Sequence, residues 1–86
     1  MVVFQHLQLN EHKFIRIFKK DLNDTDLVWH FDAKDRIIIP QHHTDWQFQF
    51  ENQLPFFIKD TFFIPKNTYH RLIKGSQDLI LMIKEK

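Results

Sequence analysis

The sequence predicts an all-β domain, either a barrel or a sandwich of short strands. Eight segments are rich in β-branched and aromatic residues and are bounded by turn residues, which is the composition of strands. They follow one another at near-regular spacing with tight connections, as in barrels and sandwiches. No segment keeps an apolar period of 3.6 residues, so no amphipathic helix is expected.

The predicted strands begin after a polar lead-in that contains His6 and His12, which we interpret as residues outside any site. The connection over 19–26 is polar, and Asp24 or Thr25 can cap one short helical turn in it. The predicted strands lie at residues 14–18, 27–32, 36–40, 46–51, 54–58, 62–64, 68–73 and 79–83.

The clearest half-buried strand is 46–51, because apolar and polar residues alternate along it. Trp46, Phe48 and Phe50 share one of its faces. They are predicted to fill the interior, and the alternative is that they line a ligand cavity, since small barrels hold side chains or one small ligand.

Length and composition bound the function classes. The 86 residues make one domain, 1–86, and the absence of cysteine excludes disulfides and thiol catalysis. A net charge of +1 with both signs scattered gives no basic patch for nucleic acid, and no apolar segment is long enough for a membrane span. We expect a cytoplasmic protein, because the first residues do not resemble a signal peptide.

Motifs that need several glycines are excluded, because Gly75 is the only glycine. Phosphate-binding loops and dinucleotide fingerprints are therefore absent. The adjacent histidines His42 and His43 lie in the predicted turn 41–45 and are interpreted as solvated turn residues.

Residues 60–73 carry the most informative pattern. Phe62 begins a short apolar strand that Pro65 ends, because proline cannot donate to a strand ladder. Asn67 tolerates a left-handed backbone and can reverse the chain. The next strand then carries His70 at a fixed distance after the proline.

Upstream, the strand period of two places His30 and Asp32 on one face. His-x-Asp with a distant histidine is the ligand set of a 2-His-1-carboxylate triad, which leaves open positions on Fe(II) or a similar metal. We expect His30, Asp32 and His70 to converge whether or not a metal is bound.

The spacing of Asp60, Pro65 and His70 resembles the second motif of the cupins, small jelly-roll β-barrels in which that histidine is often a metal ligand. The resemblance covers residues 27–84 and implies a single cupin-like barrel of about eight short antiparallel strands, with 1–26 as an N-terminal strand and connection. The sequence departs from the cupin pattern at several positions: Asp32 replaces a histidine, Arg36 lies near the usual glutamate, His43, Lys59 and Asn67 replace glycines, and Lys74 replaces an asparagine.

Two interpretations of this site stay open. His30, Asp32 and His70 hold a divalent Fe, Mn, Ni or Zn ion, or they form a metal-free polar network with an arginine. Arg36 favours the second, because a nearby positive charge repels a cation.

Three function classes follow. The first is binding of a small polar or anionic molecule at the barrel mouth, with Arg36 and Arg71 as anion partners and Trp46, Phe48 and Tyr69 as aromatic contacts. The second is a metal-dependent enzyme of the oxygenase or isomerase type. The third is a structural or interaction module.

Apolar residues on both faces of 27–31, 37–39 and 56–58 exceed what one small barrel can bury. Some of these faces must therefore meet another layer, and we expect a homodimer.

Overall fold

The protein is described by a computed structural model over residues 3–86, and its regular secondary structure consists of antiparallel strands and one short 3₁₀ turn. A 3₁₀ turn over Asp24–Asp26 interrupts them. The strands are β1 (Gln5–Asn10), β2 (Lys13–Phe18), β3 (Arg36–Pro40), β4 (Gln47–Phe50), β5 (Phe56–Phe57), β6 (Phe62–Ile64), β7 (His70–Ile73) and β8 (Leu79–Glu85). The all-β prediction is confirmed. No helix in residues 3–86 is long and apolar enough to span a membrane.

The strands form two sheets that face each other across the core. The larger sheet has the order β1-β2-β8-β3-β6, and the smaller has the order β5-β4-β7. Strand β8 lies between β2 and β3 and pairs antiparallel with both. The central strand of this sheet, β8, is therefore paired with two strands that lie far from it in the sequence.

The structure differs from the sequence-based expectation at two places. Strand β1 falls in the predicted polar lead-in, and all six of its residues are exposed, because it is an edge strand paired only with β2. Residues 27–32 do not form a strand; only His30 pairs, through an isolated bridge to His70. Their apolar composition resembles that of a strand, but Val28 and Phe31 are exposed and meet no second layer.

Two smaller expectations also change. The predicted strand 54–58 is reduced to Phe56–Phe57, in keeping with the inability of Pro55 to donate to a ladder. The residue that precedes the 3₁₀ turn is Asn23 rather than Asp24 or Thr25, and no side chain caps the turn.

The core is made of the alternate residues that face inward from both sheets. Trp46 is fully buried and Phe48 is 4% exposed, so both lie in the interior as predicted, while Phe50 is only partly buried. Gly75 packs against the indole: a methyl group there would lie 2.6 Å from Trp46 Cδ1 and 2.7 Å from Trp46 N. Glycine is required here by close approach rather than by backbone angle.

The opposite side of the five-stranded sheet is also apolar. The registers of β1 with β2, β2 with β8, and β8 with β3 place Leu7, Ile15, Met82 and Ile39 in one row across the sheet. Because side chains alternate along a strand, these residues point away from the buried core. We call this surface the outer apolar face; it consists of Leu7, Ile15, Ile17, Ile37, Ile39, Phe63, Ile80 and Met82.

Candidate functional site

His30, Asp32 and His70 lie together at one end of the smaller sheet. One ligand atom of each lies within 4.8 Å of the others. Two backbone hydrogen bonds join His30 and His70, with N···O distances of 3.0 Å and 2.9 Å, and the two rings meet edge to face with centroids 4.4 Å apart. The predicted convergence of these three residues is present in the structure.

The turn before β7 fixes His70. Asn67 adopts a left-handed backbone with φ of 60°, as its side chain type predicts. Its N–H donates to the Asp32 carbonyl at 2.7 Å, which ties the turn to the segment that carries Asp32. The Lys66 N–H donates to the Asp35 carboxylate at 2.8 Å and holds the same turn from the other side.

Hydrogen bonds set the tautomer of both rings. His70 Nδ1 lies 2.8 Å from the Thr68 carbonyl, and His30 Nδ1 lies 3.0 Å from the Val28 carbonyl. A carbonyl oxygen only accepts, so each Nδ1 carries the hydrogen. In a neutral ring Nε2 then carries the lone pair, and the Nε2 of His70 lies 3.3 Å from the Asp32 carboxylate; a ring whose other nitrogen donates to a carbonyl is the arrangement of histidines that ligate metals.

The carboxylate of Asp32 contacts the guanidinium of Arg36 and a ring nitrogen of His70. Its Oδ1 lies 3.2 Å from Arg36 Nη1, and its Oδ2 lies 3.3 Å from His70 Nε2. Oδ2 is buried and has no hydrogen-bond partner among the described residues. Two atoms with lone pairs repel at this distance, so a proton on Nε2 or a cation between them is required.

Burial acts to raise the pKa of Asp32, but the polar contact with His70 and the charge of Arg36 outweigh it, so the pKa lies below its usual value. The folded-state pKa is thus lower than the unfolded one. The ionised carboxylate therefore stabilises the fold above its unfolded pKa, and this contribution is lost as pH falls through the folded pKa. Near neutral pH Asp32 is in the form that attracts a cation.

The charge of Arg36 is balanced. Its Nη2 lies 2.8 Å from the Glu85 carboxylate, in addition to the contact with Asp32. Both partners are largely buried, so the guanidinium is held by two carboxylates and its repulsion of a cation at Asp32 is offset by Glu85.

A cavity of about 220 Å³ opens between the two sheets and reaches the cluster. His30, His70 and Arg36 line it together with apolar side chains, Phe48 among them. Arg16 of β2 lines it too, although sequence reasoning did not select it. The sequence does indicate this position, because Arg16 alternates with Phe14 and Phe18 and therefore lies on the inward face of the strand.

The other predicted ligand-binding residues lie outside this cavity. Trp46 is buried in the core, where its indole N–H donates to the Gln77 carbonyl. Arg71 donates to Gln49 at 2.9 Å and lies over the Trp29 ring. Tyr69, with Trp29, lines a separate shallow depression on the surface.

The remaining histidines do not join the cluster. His42 Nε2 accepts a hydrogen bond from the Ile80 N–H at 3.0 Å, so it holds its turn to β8. His6, predicted to lie outside any site, accepts from Arg16 Nε at 3.3 Å and stacks on Phe14. His12 and His43 are exposed.

No protein-family model and no curated protein matches the sequence. Solved structures do match. The chain superposes on the DMSP lyase DddQ from Ruegeria pomeroyi with a TM-score of 0.73 and 13% identity, covering 86% of this chain and 36% of that one. It superposes on an RmlC-like cupin family protein with a double-stranded β-helix fold from Methanocaldococcus jannaschii with a TM-score of 0.71 and 17% identity, covering 96% and 77%.

A cupin-2 domain containing protein from Shewanella frigidimarina matches with a TM-score of 0.62 and 21% identity, covering 93% of this chain and 76% of that one. The chain thus spans about a third of the lyase and most of the two smaller cupins. At these identities the likeness concerns the fold, and the chain has the cupin double-stranded β-helix.

Proposed function

We propose that this protein with a cupin fold binds a divalent metal through His30, Asp32 and His70 and receives a small molecule in the adjoining cavity. The observation that carries the proposal is the unpartnered Asp32 Oδ2, which faces a histidine Nε2 in a group whose ligand atoms lie within 4.8 Å of one another. A buried carboxylate oxygen without a partner is costly, and a metal ion would satisfy it together with both rings.

The spacing of one pair of ligand atoms, those of His70 and Asp32, supports this assignment. Two atoms that each lie ~2.0–2.2 Å from one metal are about 3.0–3.5 Å apart at octahedral to tetrahedral angles. The distance of 3.3 Å between His70 Nε2 and Asp32 Oδ2 falls in this range. Imidazole and carboxylate ligands suit Fe(II), Mn(II), Ni(II) and Zn(II), so the donor set does not select one of these metals.

Three protein ligands leave coordination positions open. A metal held in this way would polarise a bound substrate or activate water or dioxygen, which is the chemistry of an isomerase or an oxygenase. The protein residues contribute orientation: the Thr68 and Val28 carbonyls fix the ring tautomers, and Arg36 fixes the Asp32 carboxylate. The cavity beside His30 and His70 supplies the space for the small molecule.

The test is metal binding by protein purified without chelator, measured by elemental analysis and by titration calorimetry. We expect close to one divalent ion per chain. Asp32→Asn removes the negative charge with little change of shape and should weaken binding by about tenfold or more. His43→Ala removes an exposed histidine outside the cluster and serves as the matched control.

The opposite result has a definite meaning. If the wild-type protein takes up no divalent ion even in excess metal, the proposal fails. The cluster would then be a metal-free network in which a proton on His70 Nε2 joins it to Asp32 and, through Arg36, to Glu85.

A further inference from the structure

Arg16 is the unusual residue of the cavity. It lies on the inward face of β2, and its guanidinium carbon is 4.0 Å from the centroid of the Phe4 ring and 4.8 Å from that of Phe14. Contacts of this kind attract a cation to an aromatic face but supply no counter-ion. Its Nε donates to His6 at 3.3 Å.

Among residues 3–86 no carboxylate forms an ion pair with Arg16, whereas Arg36 is held by two. Burial and the nearby charge of Arg36 lower the pKa of Arg16, the more distant charges of Asp32 and Glu85 offset this only in part, and the guanidinium remains protonated near neutral pH. A half-buried positive charge without a partner is costly. The cavity therefore contains a positive charge, without an ion pair, to which an anion can bind.

The rest of the cavity limits what that anion is. Its walls are mainly aliphatic and aromatic, and Asp26 is the one acidic residue among the described lining residues, with no ion pair to Arg16; the apolar residues include Leu27, Ile38, Phe48, Ile64, Leu72 and Leu81. Its volume of about 220 Å³ corresponds to roughly seven water molecules at ~30 Å³ each. A ligand of about that many non-hydrogen atoms with one charged end and an apolar remainder fits both size and lining.

We propose that the cavity binds a small apolar monocarboxylate whose carboxylate group contacts the Arg16 guanidinium. The planar guanidinium of arginine can donate two parallel hydrogen bonds to one carboxylate. The inference deepens the proposed metal function, because the ligand would occupy the cavity that the metal cluster borders. Arg16 itself is tested with or without metal.

The probe is pentanoate, compared by titration calorimetry with pentanamide, which has nearly the same shape and no charge. Near neutral pH we expect pentanoate to bind more tightly. Arg16→Met should weaken pentanoate by about tenfold to a hundredfold, the loss of a charged hydrogen-bonded pair, and should leave pentanamide unchanged. Arg71→Met is the matched control, because Arg71 lies outside the cavity.

Each measurement is made on chelator-treated and on metal-supplemented protein. Failure to take up metal would count against the metal proposal alone, since the chelator-treated series still reports on Arg16. Equal binding of pentanoate and pentanamide by the wild-type protein, which needs no variant to fold, would overturn the carboxylate inference. Equal pentanoate affinity in Arg16→Met and wild type would do the same.

A second, independent observation concerns the outer apolar face. Eight apolar side chains cover the solvent side of the five-stranded sheet, with Leu7 60% and Phe63 47% exposed. Lys13 and Lys84 border them at one end of the strands and Gln5 and Gln41 at the other. An apolar centre with a polar rim is the composition of a protein interface.

We infer that this face is the contact between two copies of the chain. The sheet measures roughly 24 Å across its five strands and ~20 Å along them. Its projected area is therefore roughly 480 Å² per copy, or about 1,000 Å² for two copies, which is the lower limit for a specific interface. A two-fold interface is self-complementary, and Met82 lies at its middle, because β8 is the central strand.

Sedimentation velocity tests this surface. The chain has a mass of 10.6 kDa, and at tens of micromolar we expect a species of about twice that mass. Met82→Glu should weaken the dimer by at least about a hundredfold, since it places two like charges together at the centre. Gln53→Glu, an exposed change in the turn after β4, is the control.

A wild-type protein that sediments only as a monomer would overturn the inference and leave the face to a different partner. A folded Met82→Glu protein that remains dimeric, with folding checked by circular dichroism, would also overturn it, because the contact would then lie elsewhere.

Discussion

Trp46→Ala should cost about 3–5 kcal/mol of unfolding free energy, a large part of the stability of a domain of this size. Trp46 is fully buried between the sheets, and its indole N–H donates to the Gln77 carbonyl. Gly75 packs so closely on the indole that any larger residue there would collide with it. Removing a buried tryptophan loses its transfer free energy and leaves a cavity. A domain of this size has only ~4–13 kcal/mol in total, at 0.05–0.15 kcal/mol per residue.

The measurement is urea unfolding followed by circular dichroism, which does not depend on the indole that is removed. Trp29→Ala is the comparison, since Trp29 is 41% exposed on the surface, and it should cost about 1 kcal/mol or less. If Trp46→Ala stays within about 1 kcal/mol of the wild-type protein, the core does not depend on this side chain as the structure implies.

His70→Ala should abolish metal uptake, with a fall in affinity of at least about a hundredfold, since His30 and Asp32 alone hold a divalent ion poorly. His70 is 3% exposed and stacks on Phe48, with ring centroids 5.1 Å apart. The same change should therefore also lower the unfolding free energy of the metal-free protein by ~1–3 kcal/mol, because the packing of the ring on Phe48 and its hydrogen bond to the Thr68 carbonyl are lost.

Metal content and metal-free stability separate the two roles of His70. Loss of both identifies a ligand that is also part of the core. Loss of stability alone, in a protein whose wild-type form takes up no metal, identifies the metal-free network. Retention of full metal affinity would contradict the assignment of His70 as a ligand. His43→Ala should change neither quantity, since the side chain is exposed outside the cluster.

The turn and the inward faces of the strands could be predicted from local sequence. Asn67 adopts the left-handed backbone that its residue type tolerates, and Phe48 lies inside because its strand alternates. These features depend on neighbouring residues only. The convergence of His30 with His70 was expected from motif spacing, and the isolated bridge between them supplies its physical basis.

Other features depend on contacts between distant segments. Residues 27–32 have strand composition, but only His30 finds a pairing partner, so tertiary context decides against a strand. The selection of Arg36 as a free anion partner could not anticipate Glu85, which lies beyond the predicted end of the last strand and neutralises it. Whether Arg16 or Arg36 lacks an ion-pair partner depends on contacts that form only when the sheet assembles.

The central place of β8 in the larger sheet determines when that sheet can form. Strands β2 and β3 are not paired with each other, and Leu79–Glu85 pairs with both. Until this segment leaves the ribosome, the strands of the larger sheet can make only a β1-β2 hairpin and a separate β3-β6 pair. The sheet then closes through long-range pairings, which are slow, so this fold is expected to form after rather than during synthesis of its first seven strands.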